Sequence, residues 1–391
     1  MRTIACCSLL LSLAACGDDV PPPPPPDMLV LPDLSAPPYV AMPGVQPPSP
    51  PMLSSGGPTI AAMHVFTIVW KGDEAVGKQL DDFHTAIFAD DYWKTTTSEY
   101  GVGPGTAAGV IVVPGSRPSV LTTSTLQTIV EAWAQNGTLA KVDSNTVLDF
   151  IIPTDVTSFD GQSVGNLCKI FGGYHTEFQT SPSIPYIINP QCNGSGLAPL
   201  DELTSVDSHE LIETATDPHP FSNIGWQNPW LAGYGEVGDM CQFVDLPITV
   251  KAADGTMVTY LVSHAYSAKI ANSGKGDPCV PSKSPFYDVG VVPANVVVNL
   301  GANGVGTTTI QLVPFTDGTP VPLEWSAFSL VPGVTLSPSG GAAKPNQIIN
   351  VKVTARGQGG GTYPGELVIL VNDPTKVGVP GQQWIAALTV N

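Results

Sequence analysis

The sequence predicts two folded parts, an α/β (α+β) domain on a central sheet and then an all-β sandwich. Three observations predict it. Strand-like and helix-like runs alternate between residues 59 and 153. A further helix follows, dense in acids and histidines. From about residue 284 the helical period stops, and only short β-rich runs separated by turn residues remain.

The chain opens "MRTIACCSLLLSLAACGDD". Arg2 supplies a positive start and Ile4 to Leu13 an apolar run too short to span a bilayer. The run ends Leu13-Ala14-Ala15-Cys16. This resembles the bacterial lipobox, which implies that residues 1–15 are a signal peptide and that Cys16 becomes the acylated first residue. The formal charge is −18, from 15 Lys and Arg against 33 Asp and Glu; loss of Arg2 makes it 14 − 33 = −19. Such a polyanion repels nucleic acid, so none is expected as a partner. Several acyl chains on one cysteine anchor stably in a lipid bilayer. The expected location is therefore the bacterial cell envelope, lipid-anchored at the outer membrane or cell surface.

Residues 16–58 follow as a Pro-rich disordered linker. Fifteen prolines fall between Gly17 and Pro58, a composition that packs no core and favours extended polyproline II. The domain of residues 59–283 starts with "IAAMHVFTIVW", Ile60 to Trp70, a β-branched and aromatic strand. Val76, Leu80, Phe83 and Ile87 then share one helical stripe. "AGVIVVP" is a buried strand. A second helix has Leu126, Ile129, Val130 and Trp133 on one face, with Thr122 to Ser124 as cap and Gly137 just past its end. "TVLDFIIP" is a third strand. Residues 284–391 hold "VVPANVVVNL", "GTTTIQLVPF", "PLEWSAFSL", "QIINVKVTAR", "GELVILVND" and "QWIAALTVN", with turns at Asp317-Gly318 and Gly340-Gly341. Regular short strands of this kind suggest a sandwich of immunoglobulin type.

Besides the acylated Cys16, four cysteines remain after the signal: Cys168, Cys192, Cys241 and Cys279. An even count in an exported chain reads as two disulfides. The favoured pairs are Cys168–Cys192 and Cys241–Cys279, because each closes a short loop. Charged residues are scarce at 12 % and Gly and Pro number 40 each, the balance of a loop-rich, strand-rich extracellular protein.

Against that background "SHELIETATDPHP", Ser208 to Pro220, concentrates His209, Glu210, Glu213, Asp217 and His219. Pro218 stops the helix, expected from about Leu200 to Thr216. His209 and Glu213, four apart, share one face. H-E-x-x-H on a helix gives two metal ligands and a base, and here the second histidine is a glutamate. Carboxylate oxygen ligates zinc, and its extra charge makes calcium or manganese alternatives. The expected set is a divalent metal, zinc first, on His209 and Glu213, completed by Glu236 or Asp239 of "GEVGDMC". Asp217 lies too far along the helix unless the helix unwinds. His175 of "GGYHTEF" is a further candidate, as a pocket residue or an oxyanion donor. Trp226 and Trp230 line a sugar or peptide groove or pack as core. "YGVGPGTAAG" lacks the Lys and Ser/Thr of a phosphate loop and reads as a turn. His64, His84 and His264 read as structural.

"YWKTTTSEYGVG", "GGYH", "SHELIETATDP", "GEVGDMC" and "CVP", in that order from Ile60 to Pro281, resemble the EXORDIUM (phosphate-induced protein 1) family and its bacterial relatives. That resemblance implies secretion and brings no established reaction. The H-E-x-x-E helix also resembles the zincin metallopeptidases, which implies a zincin-like fold, His209 and Glu213 as ligands and Glu210 as catalytic base. The expected function is a surface-anchored, metal-dependent hydrolase of peptidase type acting on an extracellular peptide or cell-wall substrate. The alternative is a non-catalytic cell-envelope binding or structural module with a structural metal.

Overall fold

A computed structural model describes residues 46–139, 142–161, 163, 168, 172–180, 182–192, 196–229, 235–242, 245–252, 254–280, 286–293, 295–318, 320–329, 331–357, 363–372 and 382–391. The lipobox and Cys16 lie outside the described residues, as does Trp230.

The first strand, β1 (Leu53–Ser54), belongs to the segment expected to be a disordered linker. That expectation is corrected for residues 46–58. Met52 is buried in the main core, and β1 pairs antiparallel with β9 (Trp226–Gln227). A proline-rich strand makes no hydrogen bonds with itself, so its carbonyls stay free to accept. The Tyr266 hydroxyl donates to Pro50 O at 2.7 Å.

A five-stranded sheet organises the region up to residue 190. It runs β3 (Thr106–Val113), β2 (His64–Trp70), β5 (Thr146–Ile152), β8 (Ile184–Pro190) and β7 (Tyr174–Phe178). The first four strands are parallel; β7 is antiparallel on the edge beside β8. The strand expected from Ile60 starts only at His64. β5 is buried along its whole length, because both faces of the sheet are covered. Leu148, Phe150 and Ile152 pack with Leu126, Val130 and Trp133 of α3 (Thr123–Asn136). The other face meets α1 (Glu74–Ala89), through Leu80, Phe83 and Ile87, and α4 (Pro199–Thr216), through Leu203, Leu211 and Ile212. Between them in sequence lie α2 (Asp91–Thr97) and a short parallel pair, β4 (Val120–Leu121) and β6 (Ser158–Phe159).

The hairpin of β10 (Asp245–Lys251) and β11 (Met257–Ser263) packs on α4. Hydroxyls fasten the two: Thr204 donates to Leu261 O at 2.8 Å, and Ser263 N donates to Ser208 Oγ at 2.9 Å. The last described helix is α5 (Ala268–Ser273).

The remaining strands form two sheets over one core. One sheet is β12 (Tyr287–Val292), β14 (Val305–Thr316), β18 (Ile349–Arg356) and β16 (Val334–Ser337). The other is β13 (Asn295–Val298), β20 (Gln382–Val390), β19 (Tyr363–Asn372), β15 (Leu323–Ser329) and β17 (Gly340–Ala343). Val289, Leu312 and Val353 of the first face Val296, Trp325 and Leu388 of the second within that core, an immunoglobulin-like arrangement. Both expected disulfides form, Cys168–Cys192 and Cys241–Cys279.

The zincin-like fold class expected from the H-E-x-x-E helix is corrected. Among the described residues the chain is mostly strand, with five helices, the longest only 18 residues. The motif fixes a helix and its ligands' spacing but not the fold around it. Val-, Ile- and Thr-rich runs decide that, and they build sheets.

Candidate metal centre

α4 begins with Pro199 at its first turn and ends at Thr216, with Asp217 as the cap before Pro218. Its polar residues are buried nearly all round: Thr204, Asp207, Ser208, Glu210, Glu213, Thr214 and Thr216. Buried polar groups need partners, so a helix of this kind is built around a site rather than around apolar packing.

Three segments bring their side chains together. α4 supplies His209, Glu210 and Glu213. The edge strand β7 supplies His175. The turn of residues 235–242 supplies Glu236 and Asp239, and the Cys241–Cys279 disulfide ties it down. His209 Nε2 lies 3.1 Å from Glu213 Oε1 and 3.6 Å from Asp239 Oδ1. His175 Nδ1 lies 3.6 Å from both Glu210 Oε2 and Glu213 Oε2, and its Nε2 is 3.4 Å from Glu236 Oε1. Two triads result, His209–Glu213–Asp239 and His175–Glu213–Glu236, each with ligand atoms within 4.8 Å of one another. Glu213 belongs to both and turns one oxygen toward each histidine.

Each histidine is held through its other nitrogen. His175 Nε2 is 3.0 Å from Asp217 O, which can accept its N–H and so turns Nδ1 toward the carboxylates. His209 Nδ1 lies 3.4 Å from Ser263 Oγ. A backbone carbonyl or hydroxyl behind the ring is the usual support of a metal-binding histidine. Asp217 itself is turned away, its Oδ1 accepting from Gly225 N at 2.8 Å.

Close approach of the turn to α4 depends on Gly238. A Cβ there would stand 2.8 Å from Glu213 Oε1 and 3.0 Å from His209 Nδ1. This lets Asp239 N donate to Glu213 Oε1 at 2.8 Å.

The electrostatics are those of a carboxylate cluster short of cations. Burial pushes Glu236 up to about 8 and raises Glu210 and Asp239, with neighbouring carboxylates adding to the rise. Glu213 is held well below the usual carboxylate range, although burial opposes it, because both histidines face it. Burial works against a charge on His175 and His209, yet the surrounding carboxylates hold both well above the ordinary imidazole value. In the metal-free protein, therefore, protons supply the positive charge. A divalent cation would replace them. Glu210 Oε2 and Glu236 Oε1 have no hydrogen-bond donor, which leaves them free for such an ion or for water. The side chains of His209 and Asp239 are 13 % and 17 % exposed while that of Glu210 is 5 % exposed, so this side of the cluster is reached from solvent. The donor set of imidazole and carboxylate fits a divalent ion.

The structure brings together every metal candidate named from sequence: His209, Glu213, Glu236 and Asp239. It seats the base candidate Glu210 beside them. His175, expected as a catalytic or oxyanion group, is only 2 % exposed and faces Glu210 and Glu213 instead of open space. Sequence reasoning missed a second cluster beneath α4, with His84, Asp149 and Asp207. Asp149 is the one signal it offered, a charge inside the apolar run "TVLDFIIP".

No family model matches the chain, and no curated protein matches it. Among solved structures it is similar to the ASH/PapD-like domain 7 of human CEP192, at 13 % identity and a TM-score of 0.22, covering 27 % of this chain and 83 % of that one. SSP-19, an MSP-domain protein of Caenorhabditis elegans, is 14 % identical with a TM-score of 0.21, covering 26 % and 97 %. The E. coli chaperone DraB is 12 % identical with a TM-score of 0.23, covering 27 % and 55 %. Likenesses this slight carry no statement about activity.

Proposed function

We propose that this chain is a metal-dependent hydrolase of peptidase type, carried on the bacterial surface as a lipoprotein of the EXORDIUM kind. One observation carries the reading: His209 Nε2, Glu213 and Asp239 converge, while Glu210 Oε2 lies 3.6 Å from the His175 nitrogen that also faces Glu213. His209, Glu213 and Asp239 would hold the ion. Glu236 faces His175 rather than His209, so Asp239 is the better third ligand. A bound zinc ion, with calcium or manganese as alternatives, would supply a Lewis acid that polarises a carbonyl and acidifies a water. Glu210 would take the proton of that water. Burial raises its affinity for protons above that of an exposed carboxylate, the direction a general base needs. His175, pinned by Asp217 O, orients Glu210 and Glu213. The extracellular location, the Cys16 anchor and the peptide or cell-wall substrate rest on the lipobox, the disulfides and the proline-rich tether.

A second reading, a non-catalytic envelope module with a structural metal, is favoured by the contacts that already close Glu213 against His209 and Asp239 N. Glu210→Gln separates the two. It keeps the shape of the side chain and cannot take a proton, so metal and fold should persist while hydrolysis across a broad peptide library disappears. Wild type that binds metal yet cleaves nothing supports the module; wild type that binds no metal removes both.

A further inference from the structure

Beneath α4, on the side away from His209, lies a second set of donors. Asp207 precedes His209 by two residues, which turns it about 200° round the helix, toward the sheet. There it meets His84 of α1, with Nε2 2.7 Å from Asp207 Oδ2 and 3.9 Å from Asp149 Oδ2. Asp149 and Thr67 are cross-strand neighbours on β5 and β2. Thr67 Oγ1 is 3.2 Å from His84 Nδ1, so the hydroxyl supports the ring from behind. Asn189 of β8 lies on the same sheet face, its Nδ2 3.4 Å from Asp207 Oδ1. All five residues are 0 % exposed.

A buried cluster of acids does not by itself make a site. Here two further facts point to a ligand. Neither Asp149 oxygen accepts a hydrogen bond, and Asn189 Oδ1 has no donor either. Buried oxygens without partners cost free energy, and two carboxylates ionised there beside a neutral imidazole would leave two uncompensated charges. A divalent cation cancels both. The ligand atoms of His84, Asp149 and Asp207 lie within 4.8 Å of one another. Zinc ligands at about 2.0–2.2 Å from the metal sit roughly 3 to 3.5 Å apart, so the His84–Asp207 contact must open from 2.7 Å and the His84–Asp149 contact close from 3.9 Å to take the ion.

We infer that His84, Asp149 and Asp207 form a second, wholly buried divalent-metal site, with Asn189 Oδ1 as a further donor, that pins α4 to the sheet. Its role is structural, since no substrate reaches it. The rival occupant is a proton shared between Asp149 and Asp207, both of which burial raises, Asp207 to about 8.

The test counts zinc on the full chain after chelator treatment and titration with Zn2+ alone. Glu213→Gln empties the His209 site, so this variant should retain one tightly held equivalent. Adding Asp149→Asn should remove it. A Glu213→Gln chain that holds no zinc, or one that keeps its zinc when Asp149→Asn is added, overturns the inference and leaves the shared proton. If Asp149→Asn does not fold, X-ray absorption on the zinc-loaded Glu213→Gln, His209→Ala chain decides. One imidazole per zinc supports the site, and absence of bound zinc sinks it. An equivalent lost through Asp149→Asn but not through Glu213→Gln in the wild-type background would leave this site standing and the proposed hydrolase without its metal.

Discussion

Gly238→Ala is the sharpest perturbation of the His209 centre, because it touches the ligands without replacing one. The backbone there, at φ −75° and ψ −48°, suits alanine. The effect is therefore steric. The new methyl would sit 2.8 Å from Glu213 Oε1 and 3.0 Å from both Nδ1 and Cε1 of His209. Ordinary contact begins near 3.4 Å, so these side chains must retreat by about 0.4–0.6 Å. Binding constellations tolerate displacements of about 0.5 Å before they fail. Displacing supported ligands typically lowers metal affinity about 10- to 100-fold, or ~1.4–2.7 kcal/mol. Removing a glycine from the unfolded chain gives back about 0.4–1 kcal/mol, so the metal-free fold should hardly weaken. Calorimetric titration of chelator-treated wild type and variant with Zn2+, read at the step that His209→Ala abolishes, is the assay. Unchanged affinity at that step would refute the close approach of this turn to the ligands.

Three further outcomes follow from the same geometry. Replacing Cys241 and Cys279 by alanine opens a loop of 38 residues, which should cost about 4 kcal/mol in chemical denaturation and weaken zinc binding, since Asp239 lies two residues away. Metal-free protein should be most stable in mild acid. The raised His175 and His209 contribute stability that is full below 6.5 and lost as pH rises through their higher folded values. Glu236 adds a penalty that grows from 4.5 to about 8, and the lowered Glu213 contributes stability lost as pH falls below 4.5. Thermal melts from pH 4 to 9 check this, and a flat profile would count against the cluster's charges. Cys16→Ser should shift the protein from membrane to soluble fractions, and undiminished membrane retention would contradict the anchor.

The helix at the centre was readable because its punctuation is strong: Pro199 opens it and Pro218 closes it within a residue of the expected bounds. The disulfide pairs were readable from loop length alone. That Asp239 meets His209 while Glu236 meets His175 was visible only as two possibilities, since sequence spacing does not say which carboxylate a turn presents. The orientation of His175 was not legible, because the carbonyl that aims it belongs to Asp217, 42 residues away. The zincin-like fold failed for a similar reason: four residues of motif describe one helix face, whereas the parallel sheet depends on pairings such as Thr67 with Asp149, far apart in the chain. His84 read as structural because its two carboxylate partners come from a strand and a helix more than sixty residues on.

Anomalous diffraction at the zinc edge, from crystals of the full chain soaked in Zn2+, tests the central claim most directly. The expected result is a peak about 2.0–2.2 Å from His209 Nε2, with Glu213 and Asp239 oxygens at similar range. An ordered His209, Glu213 and Asp239 with no peak between them would contradict it.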